Sequence, residues 1–574
     1  MTDRLRIING RVFDPANGVD GVVRELCVVD GKMVAAFDAA VRPGAVRTID
    51  ASGMVVMPGG VDIHCHIASA SVNRARAMLG EEHATHVHQV KPCDAASGWM
   101  RSGTGSLTPS TFLTGYRYAA LGYTTAIDAA VAPSGARQTH LQLADTPNLD
   151  AGFFLLVGNH AKLIELIGRG DEDGAVAFIG EMVHRTGALG VKVVNPGGVA
   201  SWRADAKQNV VLSIDSEVAG TNTIVTARRI LQTIATAAER LKLPHPPHVH
   251  CNQLGIPGNV EMTLDTLDAL DGRRVHLTHL QFHSYGKSEK GDFTSKASRL
   301  VEYIDAHPLV TADVGQVMFG DAMTLTADTP LEYVLWHLTG RRATTPYVSI
   351  ESELETGCGL MPIEYSDKNY LHSLQWAIGL ELMLTAKYPW RMLLSTDHPN
   401  GGSFLTYPRI IAALMSKTIR DEQISRANPR AMQHSRLKDI TREMTLSEIC
   451  ILTRSGPARA LGLTHKGHLG SGADADITVY DASLAAGGDW QRMFESPRYV
   501  IKGGQVIVRD GELCDAASGR VMRADVASDE RGERGLNEWF DEHGSYSVKQ
   551  FGIHTFEREG MKTVVPSSRL QVPG

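Results

Sequence analysis

The stretch VVMPGGVDIHCHIA, Val55 to Ala68, is an apolar run that passes through Pro58, Gly59 and Gly60 and ends on two histidines flanking one cysteine. Three readings are open at this point: a metal site, a reactive cysteine with two helpers, or two histidines hydrogen-bonded in an ordinary strand. Side chains in a strand alternate with a period of two, so His64 and His66 project to one side and Cys65 to the other. That alternation removes the reactive-cysteine reading. The other two remain, because an isolated His-x-His pair fits either.

Outward from this stretch, apolar runs alternate with amphipathic segments: GYTTAIDAAV, AGFFLLVGNH, ALGVKVVNPGG, PPHVHCNQLG, RRVHLTHLQF, HPLVTADVGQ and RMLLSTDHPN. Between two of them, Thr226 to Leu241 places Ile230, Leu231, Ile234, Ala238 and Leu241 on one helical face. Alternating strand and helix over such a length predicts a (β/α) barrel, with an open doubly wound sheet as the weaker alternative. His64, His66, Lys192, His250, His279 and Asp397 each end an apolar run and precede a loop rich in Gly, Pro or Asn. In a closed barrel all six converge on one mouth. At the two ends of the chain, LRIINGRVFDP and RELCVVDGKMVAAF, then GADADITVYD and RYVIKGGQVIVRDGE, read as β-hairpins broken by Asn-Gly, Asp-Gly and Gly-Gly turns.

Composition bounds the function class. The chain has 574 residues, 43% of them hydrophobic and 21% charged, which is a globular balance with ample core. A formal charge of −7 without a Lys/Arg-rich run gives no electrostatic footprint for nucleic acid or an anionic membrane surface. The opening MTDRLRIINGRVFDP lacks a basic segment followed by an apolar stretch, and no apolar run reaches membrane-spanning length, so the expected location is cytoplasmic. Seven scattered cysteines without a C-x-x-C pair argue against a disulfide framework, a zinc ribbon and an iron–sulfur cluster.

The order His-x-His, lysine, histidine, histidine, aspartate along successive strand ends resembles the metal-dependent amidohydrolase superfamily. MVVMPGGVDIHCH at the entry and GPARALGLTHKGHLGSGADADITVYD near the exit resemble it too. The resemblance implies an α/β fold of the (β/α)8 TIM-like barrel type with a small β-sandwich formed by the N- and C-terminal segments. The expected division is 1–57 and 451–530 for the sandwich, 58–450 for the metal-dependent hydrolase barrel, and 531–574 for a tail that could serve as an interface. It further implies two divalent metal ions, zinc by preference, held by His64, His66, Lys192, His250, His279 and Asp397. An ammonium is a poor ligand, so Lys192 is expected to act as its N6-carboxylated form; the plainer alternative is a strand-ending lysine that pairs with a carboxylate. Two such metals about 3.5 to 4 Å apart lower the pKa of a bridging water and polarise a carbonyl. Asp397 is the candidate general base and then acid, since His-Pro follows it rather than the helix it would otherwise cap. His248 alternates onto the same side as His250 and is a rival ligand.

Three strings are more particular: HVHCNQLGIPGNVEMT, THLQFHSYG and STDHPNGGSFLTYPRIIAALMS. They resemble the amidohydrolase-type component of formylmethanofuran dehydrogenases and its bacterial counterpart in the formyltransferase/hydrolase complex of one-carbon metabolism. That resemblance implies hydrolysis of a linear formamide: the N-formyl group of formyl-methanofuran, or of an analogous carrier such as methylofuran, yields formate and the free amine within a multi-subunit complex. Asn252, His283 and Tyr285 are candidate substrate contacts. The archaeal direction, condensing formate with the amine, is one alternative, a dihydropyrimidinase- or hydantoinase-type cyclic amide hydrolase another, and a non-catalytic barrel scaffold a third. The long interruption from Ser69 to Thr114 reads as a lid or partner surface rather than a missed element. His83, His86 and His88 on it lack a matching carboxylate, and Arg74, Arg76 and Lys91 are candidates for an anionic carrier tail by position alone.

Overall fold

The computed structural model describes residues 3–38, 46–79, 88–90, 100–102, 105–204, 211, 213–219, 221, 223–326, 359–543 and 547–565. His83, His86, Lys91 and the side chain of His88 lie outside what is described.

Eight parallel strands form one sheet whose spatial order is chain order: β1 (Gly60–Cys65), β2 (Tyr123–Val131), β3 (Asp150–Leu156), β4 (Gly190–Val194), β5 (His248–His250), β6 (Val275–Leu277), β7 (Val310–Asp313) and β8 (Met392–Leu393). The two edges meet beyond β8, where Cys65 and His398 form a parallel bridge and the His66 N–H donates to the His398 carbonyl at 2.7 Å. The sheet therefore curls until its first and last strands touch, which is the expected barrel rather than an open sheet. Its strands are near-continuous apolar runs because both faces are covered. Phe153, Leu155, Val191, Val193 and Val249 join the large cluster shared with the helices. The alternate residues Ile63, Ile127, Phe154 and Leu393 form a separate small core inside the foot of the barrel.

The helix predicted near Thr226 runs from Ala227 to Arg240. The Thr226 hydroxyl accepts the Arg229 N–H at 3.3 Å and so caps its first turn, while Ile230, Leu231, Ile234 and Ala238 are buried along one face. One expectation fails in the stretch from Ser69 to Thr114. It carries a helix, Ala70–Met78, and two short antiparallel strands, His88–Val90 and Met100–Ser102. The helix is held by a distant hairpin, Gly320–Thr326 with Gly359–Tyr365, whose Met323, Leu325 and Leu360 cover Val72, Ala75 and Leu79. A partner so far along the chain leaves no local trace.

Strands from both chain ends build a sandwich. Its larger sheet runs, in spatial order, through Glu512–Leu513, Gln505–Arg509, Tyr499–Lys502, Ile477–Asp481, Met54–Pro58, Arg11–Asp14 and Val19–Val23. The smaller sheet contains Arg4–Ile8, Leu26–Val29, Lys32–Val34 and Arg47–Asp50. Leu5, Ile7, Val28, Val56, Ile477 and Val479 pack between them. Residues Ile451–Ala460, expected to join the sandwich, are helical and lie against the barrel; the Leu394 N–H donates to the Leu452 carbonyl at 3.2 Å.

Where sandwich meets barrel foot, a buried ion network ties them. Lys466 reaches Asp150 on β3, Asp474 at 3.0 Å and Asp476 at 2.5 Å; Lys502 reaches Asp150 at 2.8 Å and Asp476 at 3.0 Å; Arg520 reaches Asp150 at 2.8 Å and Asp474 at 2.5 Å. The first helix of the tail packs its apolar face within this chain, while Phe556 and Val565 further on are exposed. Helix Glu530–His543 buries Leu536, Trp539 and Phe540 beside helix Glu172–Thr186, and Arg185 of that helix pairs with Glu533.

Candidate metal centre and catalytic aspartate

β1 delivers the two histidines by breaking its own alternation. Its register against β2 slips between Asp62 and Cys65, a bulge that leaves Asp62 facing the outer helices, where its carboxylate accepts from the Tyr118 and Tyr407 hydroxyls at 2.7 and 2.5 Å. Burial raises the Asp62 carboxyl to about 6 against the lowering effect of those hydroxyls. Cys65 turns outward as alternation predicts, donating to the Ile127 carbonyl at 3.3 Å. The loop that follows is clamped by Asp128, within β2 at its register shift, whose carboxylate accepts from the N–H groups of Ile67, Ala68 and Ser69 at 3.0, 2.8 and 3.2 Å.

The six predicted strand-end residues are brought together. His64 Nε2 and His66 Nε2 stand 3.0 and 3.1 Å from the same oxygen, Oδ1 of Asp397. The His64 and His279 rings lie 5.5 Å apart, and those of His279 and His250 4.6 Å. Lys192, 2% exposed, donates to the Thr278 hydroxyl at 3.3 Å; burial pulls its ammonium down to about 8, and Asp397 and Asp313 resist that fall. His279 and Asp397 both have left-handed backbones, with φ of 35° and 50°. Gly315 makes the turn of His279 feasible, because a Cβ there would lie 2.3 Å from the Cβ of His279. Asn400 fixes Asp397 from below, its side-chain amide donating to Oδ1 at 2.9 Å and its N–H to the Asp397 carbonyl at 2.6 Å. Burial would raise the Asp397 carboxyl, but the His64, His66 and His279 imidazoles hold it well below the usual carboxylate range.

Among the described residues three triads offer ligand atoms within 4.8 Å of one another: His64, His66 and Asp397; His250, His279 and His283; and, one level deeper, His64, His248 and Asp313. A cation suits the donors. Two imidazole nitrogens crowd one carboxylate oxygen in the first triad. In the second, His279 Nδ1 and both ring nitrogens of His283 are buried without a hydrogen-bond partner. Imidazoles with carboxylates are the donor set of zinc and its divalent neighbours. His283, expected as a substrate contact, thus stands among the ligand-type histidines.

The other two expected substrate contacts are tied to the protein. The Asn252 amide donates to Asn195 Oδ1 at 2.7 Å and to the Pro196 carbonyl at 3.0 Å, bracing the loop after β4. The Tyr285 hydroxyl accepts from Gln375 at 3.0 Å within the main core, where its ring meets Phe293. The Asn252 carbonyl oxygen is buried without a hydrogen-bond partner, so Asn252 braces the loop through its NH2 group alone. His248, the rival ligand, lies one level deeper: Lys192 pairs with it in register while His250 sits two residues nearer the mouth. Its nitrogens face His64 and His245 at 3.0 Å each. Arg76 is a strut rather than a tail-binding group, donating to the carbonyls of Pro109 and Ile67 and to Asn73 at 3.0, 2.8 and 2.9 Å.

Asp313 is the residue that sequence reasoning missed. Its Oδ2 lies 3.1 Å from His64 Nδ1 and 3.2 Å from His276 Nε2, and its Oδ1 accepts from the His279 N–H at 3.0 Å and the Ser395 hydroxyl at 2.5 Å. Burial opposes its charge, yet His64 and His276 hold it well below the ordinary range. The signal was present in HPLVTADVGQ, an apolar run ending on an aspartate before glycine, the same form that marked Asp397.

Comparison with known proteins agrees with this geometry. Residues 47–508 match the model of the amidohydrolase family. Protein FwdA of Methanocaldococcus jannaschii is 39% identical over 96% of this chain and 95% of its own. The A component of the formyltransferase/hydrolase complex Fhc of Methylorubrum extorquens is 38% identical over 96% of each. The crystal structure of the FhcABCD complex from Methylorubrum extorquens with methylofuran contains a chain that superposes with a TM-score of 0.89 at 36% identity, covering 98% of this chain and all of that one. A barrel with histidine, lysine and aspartate at its mouth, matched over nearly its whole length, places this chain in the amidohydrolase family, in the group of FwdA and the Fhc A component.

Proposed function

We propose that this chain is the hydrolytic component of a cytoplasmic formyltransferase/hydrolase complex and cleaves the N-formyl group of formyl-methanofuran, or of an analogous carrier such as methylofuran, to formate and the free amine. The observation that carries the reading is the pair of triads, His64 with His66 and Asp397 and His250 with His279 and His283, beside a buried Lys192 whose ammonium interacts with Asp397, in a chain similar over nearly its full length to the Fhc A component. Two zinc ions there, one on His64, His66 and Asp397 and one on His250 and His279, with N6-carboxylated Lys192 between them, would polarise the formyl oxygen and lower the pKa of water. His283 stands ready as a further ligand or as a contact to the formyl group.

The remaining work falls to residues of the chain. Asp397 accepts the proton of the attacking water as its oxygen bonds to the formyl carbon, and delivers that proton to the nitrogen as the C–N bond breaks. Its low pKa fits the first role at neutral pH, and Asn400 keeps Oδ1 aimed at the histidines. The lowered Lys192 pKa leaves a share of free amine near pH 8, the form that reacts with CO2. The test is formate release from the N-formyl carrier by the purified complex, with hydantoin and dihydrouracil as controls and metal counted per chain. Formate with about two divalent ions per chain supports the reading. Turnover of the cyclic amides alone overturns it in favour of a cyclic amidase.

A further inference from the structure

Three imidazoles connect the foot of the barrel to its mouth. His245 Nδ1 lies 2.8 Å from the Ala460 carbonyl; His245 Nε2 lies 3.0 Å from His248 Nδ1; His248 Nε2 lies 3.0 Å from His64 Nδ1; and His64 Nε2 faces Asp397. Ala460 ends the helix Gly456–Ala460, which leads toward the sandwich. All three rings are buried, and the plane of His248 is held between Phe154 at 4.5 Å and His276, stacked at 4.8 Å with an interplanar angle of 14°.

The direction of hydrogen bonding in such a chain is set by its ends. A backbone carbonyl only accepts, so His245 must carry its proton on Nδ1 and present a bare Nε2. His248 must then donate from Nδ1 and present a bare Nε2 in turn. His64 must therefore donate from Nδ1, and its Nε2 lone pair then faces the Asp397 carboxylate at 3.0 Å, an acceptor-to-acceptor contact that a cation between them would relieve. The other neighbour of His64 Nδ1 demands the same answer, because the Asp313 carboxylate, 3.1 Å away, is also acceptor-only. His276 closes the arrangement without contradiction: its Nε2 donates to Asp313 at 3.2 Å and its Nδ1 accepts from the Thr311 hydroxyl at 2.8 Å. In the opposite polarity, a bare His245 nitrogen would face the Ala460 carbonyl and a bare His64 nitrogen would face Asp313.

We infer that His245 and His248 are positioning residues that, with Asp313, lock His64 in the tautomer whose Nε2 binds metal, so that a carbonyl at the foot of the barrel orients a ligand at its mouth. The inference rests on the reading of His64 as a metal ligand, but the tautomer itself is measurable without metal. Groups that fix a ligand histidine from behind typically change metal affinity by about 10- to 100-fold when removed.

The experiment uses the full chain with 15N-labelled histidine, chelated and at alkaline pH so that the rings are neutral. Nitrogen shifts should show His245, His248 and His64 as Nδ1–H tautomers. His248→Phe keeps the ring packing and removes the acceptor; it should mix the tautomers of His64 and weaken zinc binding by about 10-fold or more. His248→Gln offers a carbonyl oxygen to His64 and an amide N–H to His245, and should restore both the tautomer and most of the affinity. His245→Phe should give the same defect in smaller measure. An Nε2–H tautomer at His64 in the unaltered chain overturns the inference, as does equal loss of zinc in the Phe and Gln variants with an unchanged tautomer. Absence of zinc binding by the unaltered chain would instead overturn the metal reading, with the tautomer measurement still standing.

Discussion

The foot and the mouth of this barrel handle buried polar groups in opposite ways. At the foot, Lys466 reaches Asp150, Asp474 and Asp476, Lys502 and Arg520 each reach two of them, and charge meets charge at every contact. At the mouth, two imidazoles converge on one carboxylate oxygen, and His279 and His283 hold buried nitrogens without partners. A buried polar group without a partner costs about 1 to 3 kcal/mol, so the mouth stores an unfavourable arrangement that a bound cation would relieve. Stability and chemistry are thereby separated along the barrel axis, which makes the two ends independently testable.

The largest effect is expected at the mouth. Asp397→Asn should lower formate release by about 10²- to 10⁴-fold, the usual weight of a general acid–base, while the denaturation midpoint falls little or rises. A comparable loss of folding stability would show that Asp397 holds the structure rather than the reaction. At the foot, Lys466→Met removes the cation shared by all three aspartates, leaving Lys502, Arg520 and the half-exposed Lys32, and should cost about 3 to 5 kcal/mol. Urea denaturation reads that loss, and activity per folded molecule should stay within twofold of the unaltered chain. A marked drop in that specific activity would mean the two ends are coupled through more than the histidine chain.

A smaller effect of opposite sign tests the stored strain directly. His283→Leu removes two unpartnered nitrogens and should stabilise the chelated protein by about 1 to 3 kcal/mol while lowering its formate release. Destabilisation would show that the histidine is satisfied in solution.

The smallest effects are in the pH dependence. Burial would raise Asp150 and Asp474, but their cationic partners hold both below the unfolded value of about 3.9. Their contribution is complete above that value and is lost as pH falls through their folded pKa values. Asp62 is raised to about 6 by burial, so the folded state binds its proton more tightly, and stability declines as pH rises from about 3.9 toward 6. Asp62→Asn should flatten that decline, and Asp474→Asn should soften the acid limb below it. Denaturation midpoints across pH 3 to 7, taken at about half-unit steps, resolve the two. One shared limb altered equally by both variants would contradict the opposite signs.

Much of the site was legible because its residues end strands. His64 and His66, His250, His279 and Asp397 each follow an apolar run and precede a loop, Lys192 lies within β4 two residues before its end, and alternation alone turns Cys65 away from the histidines. What alternation could not show was the bulge at Asp62, since a register slip against β2 is a property of two strands. The ties that hold Asn252 and Tyr285 were hidden for a related reason. Polar side chains in loops near the ligands look available in a sequence, whereas their partners, Asn195 and Gln375, are 57 and 90 residues away.

The sequence by itself determined the barrel, the strands at both chain ends and the six residues at the mouth. Each of these is written in a local period or in a strand-to-loop transition. Only the tertiary structure decided the rest: the pairing of His283 with His250 and His279, the role of Asp313, the ion network at the foot and the chain of imidazoles from Ala460 to His64. These depend on groups from separate strands meeting inside a closed sheet. A hydrogen bond or ion pair is decided by distance and direction in space, and neither is carried by the order of residues along one chain.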